Sequence, residues 1–131
     1  MKDIENNDLK QYETEVKEKW GHTNAYQEYN KKTKEYSKEK WENINNKMNN
    51  IFLNFSICMQ NNESVDSEKS QNLVKDLQTH ISENYYQCTK EILYNLGQMY
   101  VLDERFKNNI DKHAIGTALF VSKAIEIYCN K

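Results

Sequence analysis

YYQCTKEILYNLGQMYVLDERFKNNIDKHAIGTALFVSKAIEIYC, residues 85–129, is the stretch that decides the fold, because it contains three helical patterns that are apolar around most of their circumference. Thr89 and Asp103 stand where helix-capping side chains are expected, and Glu91 follows in a first turn, where a carboxylate complements the helix dipole. Little polar surface remains on the first of these helices, whose apolar residues are Ile92, Leu93, Leu96, Met99, Tyr100 and Val101. We therefore expect this helix to be buried between its neighbours.

Two further features of this stretch predict how it packs. Gly97 lies inside the first helix, where glycine costs about 1 kcal/mol relative to alanine, so we expect a second helix or a ligand to approach closely there. The last helix is predicted from about Ala114, with a buried face of Ile115, Ala118, Leu119, Ile125 and Tyr128.

Composition indicates a single all-α domain. The chain has 131 residues, no proline and only three glycines, so long helices can continue without breakers. The net charge of -2 provides no basic field for a nucleic-acid backbone, and direct DNA or RNA binding is not expected. No apolar run reaches the roughly 20 residues that span a bilayer, and the first ten residues, MKDIENNDLK, lack a signal core, so a cytoplasmic location is expected. The three cysteines show no CxxC spacing, which favours reduced thiols and no metal site.

Residues 1–40 form an aromatic segment with few aliphatic side chains. Narrow helical stripes occur at Leu9, Tyr12, Val16 and Trp20, and again at Tyr26, Tyr29, Thr33 and Tyr36. Ordering a residue costs about 1–2 kcal/mol of backbone entropy, and a thin stripe recovers little of that cost. We expect this segment to be a helical lid, disordered alone and ordered when a ligand supplies apolar surface.

Residues 41–131 are predicted to form the core, which together with the lid makes one domain. A helix beginning near Trp41, after a cap at Ser37, presents the face Ile44, Met48, Ile51, Phe52, Phe55 and Met59, widened by Leu53, Ile57 and Cys58. Residues 60–70 form a polar loop in which Asp66 or Ser67 can cap the next helix. The apolar face of that helix is Leu73, Leu77, His80, Ile81 and Tyr85.

Two blocks carry a resemblance to a known family: CTKEILYNLGQMYVLDERFKNNID, residues 88–111, and WGHTNAYQEYNKKTKEYSKEKW, residues 20–41. They resemble the TipA-S family, the antibiotic-recognition domains found at the C-terminus of MerR-type transcription activators and as free drug-binding proteins. The resemblance implies a compact globin-like helical bundle that binds a bulky hydrophobic peptide-type antibiotic, such as thiostrepton or albicidin, without catalysis. The sequence shows no winged-helix DNA-binding region and no long heptad helix for dimerisation, so this chain resembles the drug-binding part of such a regulator alone. Without the heptad helix, a monomer is expected.

Cys88 is the candidate for covalent capture. It precedes the helix capped by Thr89, where the helix dipole favours a thiolate, although a free cysteine is more often a small buried hydrophobic residue. The resemblance implies that the cysteine of the matching C-T-x-E element bonds to dehydroamino acids of thiopeptides, although some members of the family bind drugs without a bond. A nucleophile pair of Cys88 with His80 has no orienting carboxylate, so an enzyme is the less favoured alternative. For His80 itself, the role of a buried core histidine is favoured over that of a ligand contact. No pair of histidines suits a haem, so no cofactor is expected.

The remaining signal is aromatic. Tyrosine and tryptophan give large, stiff contact area with a polar tip, which suits a groove for a multi-ring ligand between the lid and residues 85–100. The predicted ligand-binding residues are Cys88, Tyr85, Tyr86, Tyr94, Tyr100, Met99, Trp20, Tyr26, Tyr36, Trp41, Phe52, Phe55 and His80. The alternative of another class is a protein-interaction module, in which the aromatic N-terminal helices dock on a partner helix and no small ligand exists.

Overall fold

The computed structural model describes residues 24–131, without the side chain of Ala25. Within this range the secondary structure consists of six α-helices and no strand. The helices are α1 (Asn24–Thr33), α2 (Lys38–Gln60), α3 (Glu68–Asn84), α4 (Lys90–Leu102), α5 (Glu104–Asp111) and α6 (Thr117–Cys129). The all-α prediction is confirmed, whereas Trp20 and the first predicted stripe lie outside the described residues.

Side-chain caps set the beginnings of four helices, as the sequence predicts. Ser37, Ser67, Thr89 and Asp103 each accept a hydrogen bond from a backbone N–H in the first turn of α2, α3, α4 and α5. The cap at Ser37 starts α2 at Lys38, three residues before the predicted start near Trp41.

The core lies where α2, α3, α4 and α6 meet. Its fully buried side chains include Phe55 from α2, Leu77 from α3, Leu93 from α4 and Ile125 from α6. The closest approach of α4 and α6 is at Gly97, where an added Cβ would lie 3.2 Å from Ile125 Cγ2. Because only hydrogen occupies that side of Gly97, the two helices can pack at this distance, and the prediction of a close helix approach is confirmed.

Four apolar residues that the sequence placed on buried faces are exposed. Leu53 and Ile57 are 41% and 44% exposed, because the buried face of α2 is narrower than its apolar pattern. Ile115 is 91% exposed and Leu119 is 51% exposed. Here α6 begins at Thr117, after the left-handed residue Gly116 with φ 95°, so Ile115 belongs to the preceding turn and not to the helix face.

None of the helices in residues 24–131 combines the length and the apolar character needed to cross a membrane.

Candidate functional site

Four aromatic rings meet where the N-terminal segment joins the helical bundle, and we call Tyr29, Tyr36, Trp41 and Tyr85 the aromatic cluster. The rings of Tyr29 and Tyr85 are stacked with centroids 5.9 Å apart and an interplanar angle of 28°. Trp41 lies 5.4 Å from Tyr36 in an edge contact and 6.2 Å from Tyr85. All four side chains are partly exposed, so their rings can contact both the bundle and a ligand.

The end of α3 and the loop after it, residues 82–87, hold the N-terminal segment against the bundle. Three hydrogen bonds make this connection: Lys32 Nζ to Ser82 O (3.1 Å), Tyr36 Oη to Asn84 O (2.7 Å) and Gln87 N to Glu28 Oε1 (3.1 Å). They are mainly polar contacts at or near the surface, where water competes with them. With the stacking of Tyr29 on Tyr85, these bonds hold the segment at the surface of the bundle, and no described side chain of α1 is fully buried.

His80 lies beneath the aromatic cluster and is 1% exposed, as the core-histidine interpretation predicts. Its ring is perpendicular to that of Tyr85, with centroids 6.2 Å apart, and its Nδ1 lies 3.1 Å from Asn84 Nδ2. Among the described residues no acceptor lies within full hydrogen-bond geometry of its Nε2, although the backbone carbonyl of Ile44 is close enough to the ring to favour its charged form. Burial, aided by the positive charge of Lys47, lowers the pKa of His80 below its usual value of 6.5, so the imidazole is neutral at pH 7.

Cys88 is a buried residue of the loop before α4. Its side chain is 3% exposed, its backbone N–H donates to Ser82 Oγ at 3.0 Å, and its carbonyl accepts from Gln78 Nε2 at 2.8 Å. Burial, with repulsion from the nearby Cys129, raises the pKa of the Cys88 thiol to about 12. Desolvation therefore outweighs the helix dipole, and the thiol is protonated in this arrangement.

A second surface feature lies between the start of α4 and the end of α6. An open depression of about 250 Å³ is lined by Lys90, Glu91, Tyr94, Cys129 and Asn130. Cys129 is partly exposed there, and its Sγ donates to Lys90 O at 3.3 Å. Tyr94, which is 38% exposed, belongs to this depression and not to the aromatic cluster.

The structure brings some of the predicted ligand-binding residues together and separates others. Tyr36, Trp41, Tyr85 and His80 meet at the aromatic cluster, with Cys88 in the adjoining loop. Phe52 and Tyr100 form an edge contact at 5.6 Å inside the core, and Phe55 is fully buried. Tyr86 and Met99 pack partly buried against the core, and Tyr26 is partly exposed on α1.

Three residues that shape the cluster were not among the predicted site residues. Tyr29 shares the helical stripe of Tyr26 and Tyr36, and that spacing was the signal for including it. Asn84 is four residues after His80, one helical turn, which places the two side chains side by side. Glu28 reaches Gln87, and no local pattern relates two residues so far apart in the chain.

Comparisons with known proteins agree on one family. A profile of the TipAS antibiotic-recognition domain matches residues 12–128. The HTH-type transcriptional activator TipA of Streptomyces coelicolor is 40% identical over 118 residues, which cover 90% of this chain and 47% of that protein. The HTH-type transcriptional activator mta of Bacillus subtilis is 34% identical over 130 residues, which cover 99% of this chain and 49% of that protein. The chain thus spans about half the length of these relatives.

A solved structure gives the same result in three dimensions. TipAS from Streptomyces lividans, determined in complex with nosiheptide in a study of a thiopeptide antibiotic multidrug resistance system, superimposes with a TM-score of 0.87 at 37% identity. The superposition covers 98% of this chain and 90% of that chain. The resemblance found in the sequence is confirmed, and the chain belongs to the TipAS antibiotic-recognition domain family.

Proposed function

We propose that this domain binds a thiopeptide-type antibiotic, or another bulky hydrophobic drug, reversibly and without transforming it. The observation that carries the proposal is the aromatic cluster at the joint between the N-terminal segment and the bundle. Nosiheptide, the ligand in the S. lividans TipAS structure, is the first compound to test.

The cluster has the properties that a large multi-ring ligand requires. Its rings are partly exposed, and buried neighbours such as His80 hold them in defined orientations. Stacked or edge-on aromatic pairs contribute about 0.5–1.5 kcal/mol each beyond the burial of area. A drug with several heteroaromatic rings would gain several such contacts here. Tyr26 and Tyr86 would extend the contact surface, while Phe52, Phe55 and Tyr100 would support it from the core.

Residues 1–40 would act as a lid over the bound drug. In the described part of this segment no side chain of α1 is fully buried, and its contacts with residues 82–87 are two hydrogen bonds, from Lys32 and to Glu28, and the stacking of Tyr29 on Tyr85. A ligand placed between the segment and the bundle would bury more apolar surface of α1 than the Tyr29–Tyr85 stack does alone. Drug binding would then hold α1 more firmly on the bundle and slow release; Trp20, also predicted as a ligand contact, lies outside the described residues.

Cys88 is the residue through which any covalent capture would occur. Conjugate addition to a dehydroamino acid needs a thiolate, and with its pKa raised to about 12 by burial the Cys88 thiol is almost entirely protonated at pH 7. The loop before α4 would therefore have to open before a bond could form. For this reason we propose non-covalent binding as the main mode, with any adduct forming slowly after the drug is in place.

The relatives TipA and mta suggest what drug binding would control. Both are named HTH-type transcriptional activators and are about twice as long as this chain. We propose that the domain serves as the drug sensor of such a regulator in the cytoplasm, where ordering of the lid is the signal. Acting alone, the same binding would sequester the drug stoichiometrically, and neither role requires turnover.

The test is NMR of the ¹⁵N-labelled domain with and without nosiheptide. We expect residues 24–36 and the indole of Trp41 to shift on addition, and we expect Tyr85→Ala to weaken binding about 2- to 10-fold through the loss of one ring contact. Tyr94→Ala is the matched control, since Tyr94 lies in a different depression. Equal loss of affinity in both variants, or no shifts in the wild type, would argue against binding at the aromatic cluster.

Intact mass measured on the same samples addresses the mode of binding. An adduct that appears over hours and is absent in Cys88→Ser would establish slow capture, whereas an adduct within the mixing time would contradict the protonated, buried thiol.

A further inference from the structure

The side chain of Asn84 connects His80 to the aromatic cluster. Asn84 Nδ2 lies 2.9 Å from the backbone carbonyl of His80 and 3.1 Å from His80 Nδ1. A carbonyl only accepts hydrogen bonds, so the amide atom that faces it must be the NH₂ group. The NH₂ group then donates to Nδ1 as well, which makes Nδ1 the acceptor and places the imidazole proton on Nε2.

The connection continues from Asn84 in two directions. Its own backbone carbonyl accepts from Tyr36 Oη at 2.7 Å, which ties the N-terminal segment to the end of α3. The next residue, Tyr85, carries the ring that stacks on Tyr29 and packs against Trp41. The conformation at the end of α3 therefore sets the position of two rings of the cluster.

We propose that His80 is a positioning residue for drug binding: its Nδ1, as a hydrogen-bond acceptor, holds the Asn84 side chain, and Asn84 in turn holds Tyr36 and Tyr85 in the aromatic cluster. The positioning concerns the ligand-free domain, and its consequence for drug affinity rests on the proposed function. Nothing in the hydrogen-bonding pattern requires His80 to touch the drug.

Protonation of His80 would break this connection. A charged imidazole donates from both nitrogens, so Nδ1–H would then face the NH₂ group of Asn84. Rotating the amide by 180° would relieve that clash, but it would turn the amide oxygen against the carbonyl of His80. Neither orientation satisfies both contacts, and the end of α3 must rearrange.

The groups around His80 fix the direction of its pH dependence. Lys47 on α2 opposes a positive charge, while the backbone carbonyl of Ile44 and the carboxylate of Glu83 favour it. Tyr85 is neutral throughout, since burial raises its pKa to about 12. Desolvation is the largest effect, so the pKa of His80 in the folded protein lies below the unfolded value of about 6.5.

The sign of the stability change follows. Between the pKa of His80 in the folded protein and its pKa in the unfolded chain, the unfolded chain binds more protons than the folded one. Stability is therefore lost as the pH falls below about 6.5. The loss continues until the pH reaches the folded pKa.

The experiment uses the ligand-free domain and follows the Tyr36 ring and the Trp41 indole by NMR from pH 8 to pH 4. In the wild type we expect both to shift with one midpoint below pH 6.5, shared with the His80 imidazole. His80→Asn places a non-titrating acceptor near the position of Nδ1, so the contacts should persist without pH dependence. His113→Gln removes a different histidine and should leave the wild-type profile unchanged.

Two variants that lack the hydrogen bond between Asn84 and His80 Nδ1 test the proposal at a single pH. His80→Phe keeps a ring but lacks the acceptor, and Asn84→Ala tests the same link without changing a core residue. Both should displace Tyr36 at pH 7.5, and should weaken nosiheptide binding about 2- to 10-fold, the effect of one lost hydrogen bond. If Tyr36 stays in place in Asn84→Ala, or if His80→Asn retains the wild-type pH profile, His80 does not position the cluster. Absence of nosiheptide binding to the wild type would reject the proposed ligand while leaving the ligand-free result decisive for His80.

Discussion

Gly97→Ala tests the packing that holds α4, and with it the loop of Cys88, against the bundle. An added methyl group would lie 3.2 Å from Ile125 Cγ2 and 3.3 Å from both its Cβ and its Cδ1. Carbon atoms in good contact are about 3.5–4.0 Å apart, so three atoms of one side chain are too close at once. Ile125 is fully buried, and a rotamer change cannot move its Cβ.

Two opposing effects set the magnitude. Alanine gains about 1 kcal/mol over glycine in a helix interior, whereas overpacking a core costs about 1–3 kcal/mol. Because the crowded atoms belong to a branched, fully buried residue and include its Cβ, we expect the cost of overpacking to exceed the gain in helix propensity. The net effect should be a loss of about 1 kcal/mol in the free energy of unfolding.

Urea unfolding of four proteins measures this prediction as a double-mutant cycle. Ile125→Ala alone should cost about 2–5 kcal/mol, since it leaves a cavity. In that background Gly97→Ala should become neutral or stabilising by up to about 1 kcal/mol, because the crowding atoms other than Cβ are gone. Asn95→Ala, at an exposed position of α4, is the control for helix propensity alone. If Gly97→Ala stabilises the wild type by about 1 kcal/mol, the close approach of α4 and α6 is not a constraint.

Three further predictions concern local features. Thr89→Ala removes the Oγ1 that accepts from Ile92 N at 3.2 Å and should lower the free energy of unfolding in urea by about 1 kcal/mol. Thr89→Ser keeps a hydroxyl and should keep most of the wild-type stability. Equal stability of all three proteins would exclude a role for the cap. Iodoacetamide at pH 7 should label Cys129 well before Cys88, which is 3% exposed with its pKa raised to about 12; peptide mass spectrometry measures the order, and the reverse order would contradict the closed loop. Gly116→Ala should lower stability by about 1–2 kcal/mol in thermal unfolding, because Gly116 has φ 95°; an unchanged melting temperature would show that this turn relaxes freely.

Features that depend on neighbouring residues were predicted well from the sequence. Ser37, Thr89 and Asp103 cap the helices that they were expected to cap, since a capping side chain bonds to a backbone group within three residues. The close approach at Gly97 was also predicted, because a glycine inside a helix needs a compensating reason.

Features that depend on distant residues were predicted less well. The apolar pattern did not reveal that Ile115 and Leu119 face solvent, since a pattern shows which residues are apolar and not where the neighbouring helices lie. Similarly, the position of Cys88 before a helix favoured a thiolate, but burial and Cys129, forty-one residues further along the chain, raise its pKa instead. The candidate site shows the same limit, because the bond from Tyr36 to Asn84 joins residues 48 apart in the sequence.

The attachment of the N-terminal segment and the burial of Cys88 share one residue. The backbone carbonyl of Ser82 accepts from Lys32 of α1, while its hydroxyl oxygen accepts from the backbone N–H of Cys88 at 3.0 Å. Moving α1 aside to admit a drug would therefore disturb the same turn of α3 that holds the cysteine loop closed. A thiol that is protonated and buried in the closed domain would then become accessible only after a ligand has entered. If the drug binds at the aromatic cluster as proposed, this order would protect the thiol from other electrophiles until the drug is in place.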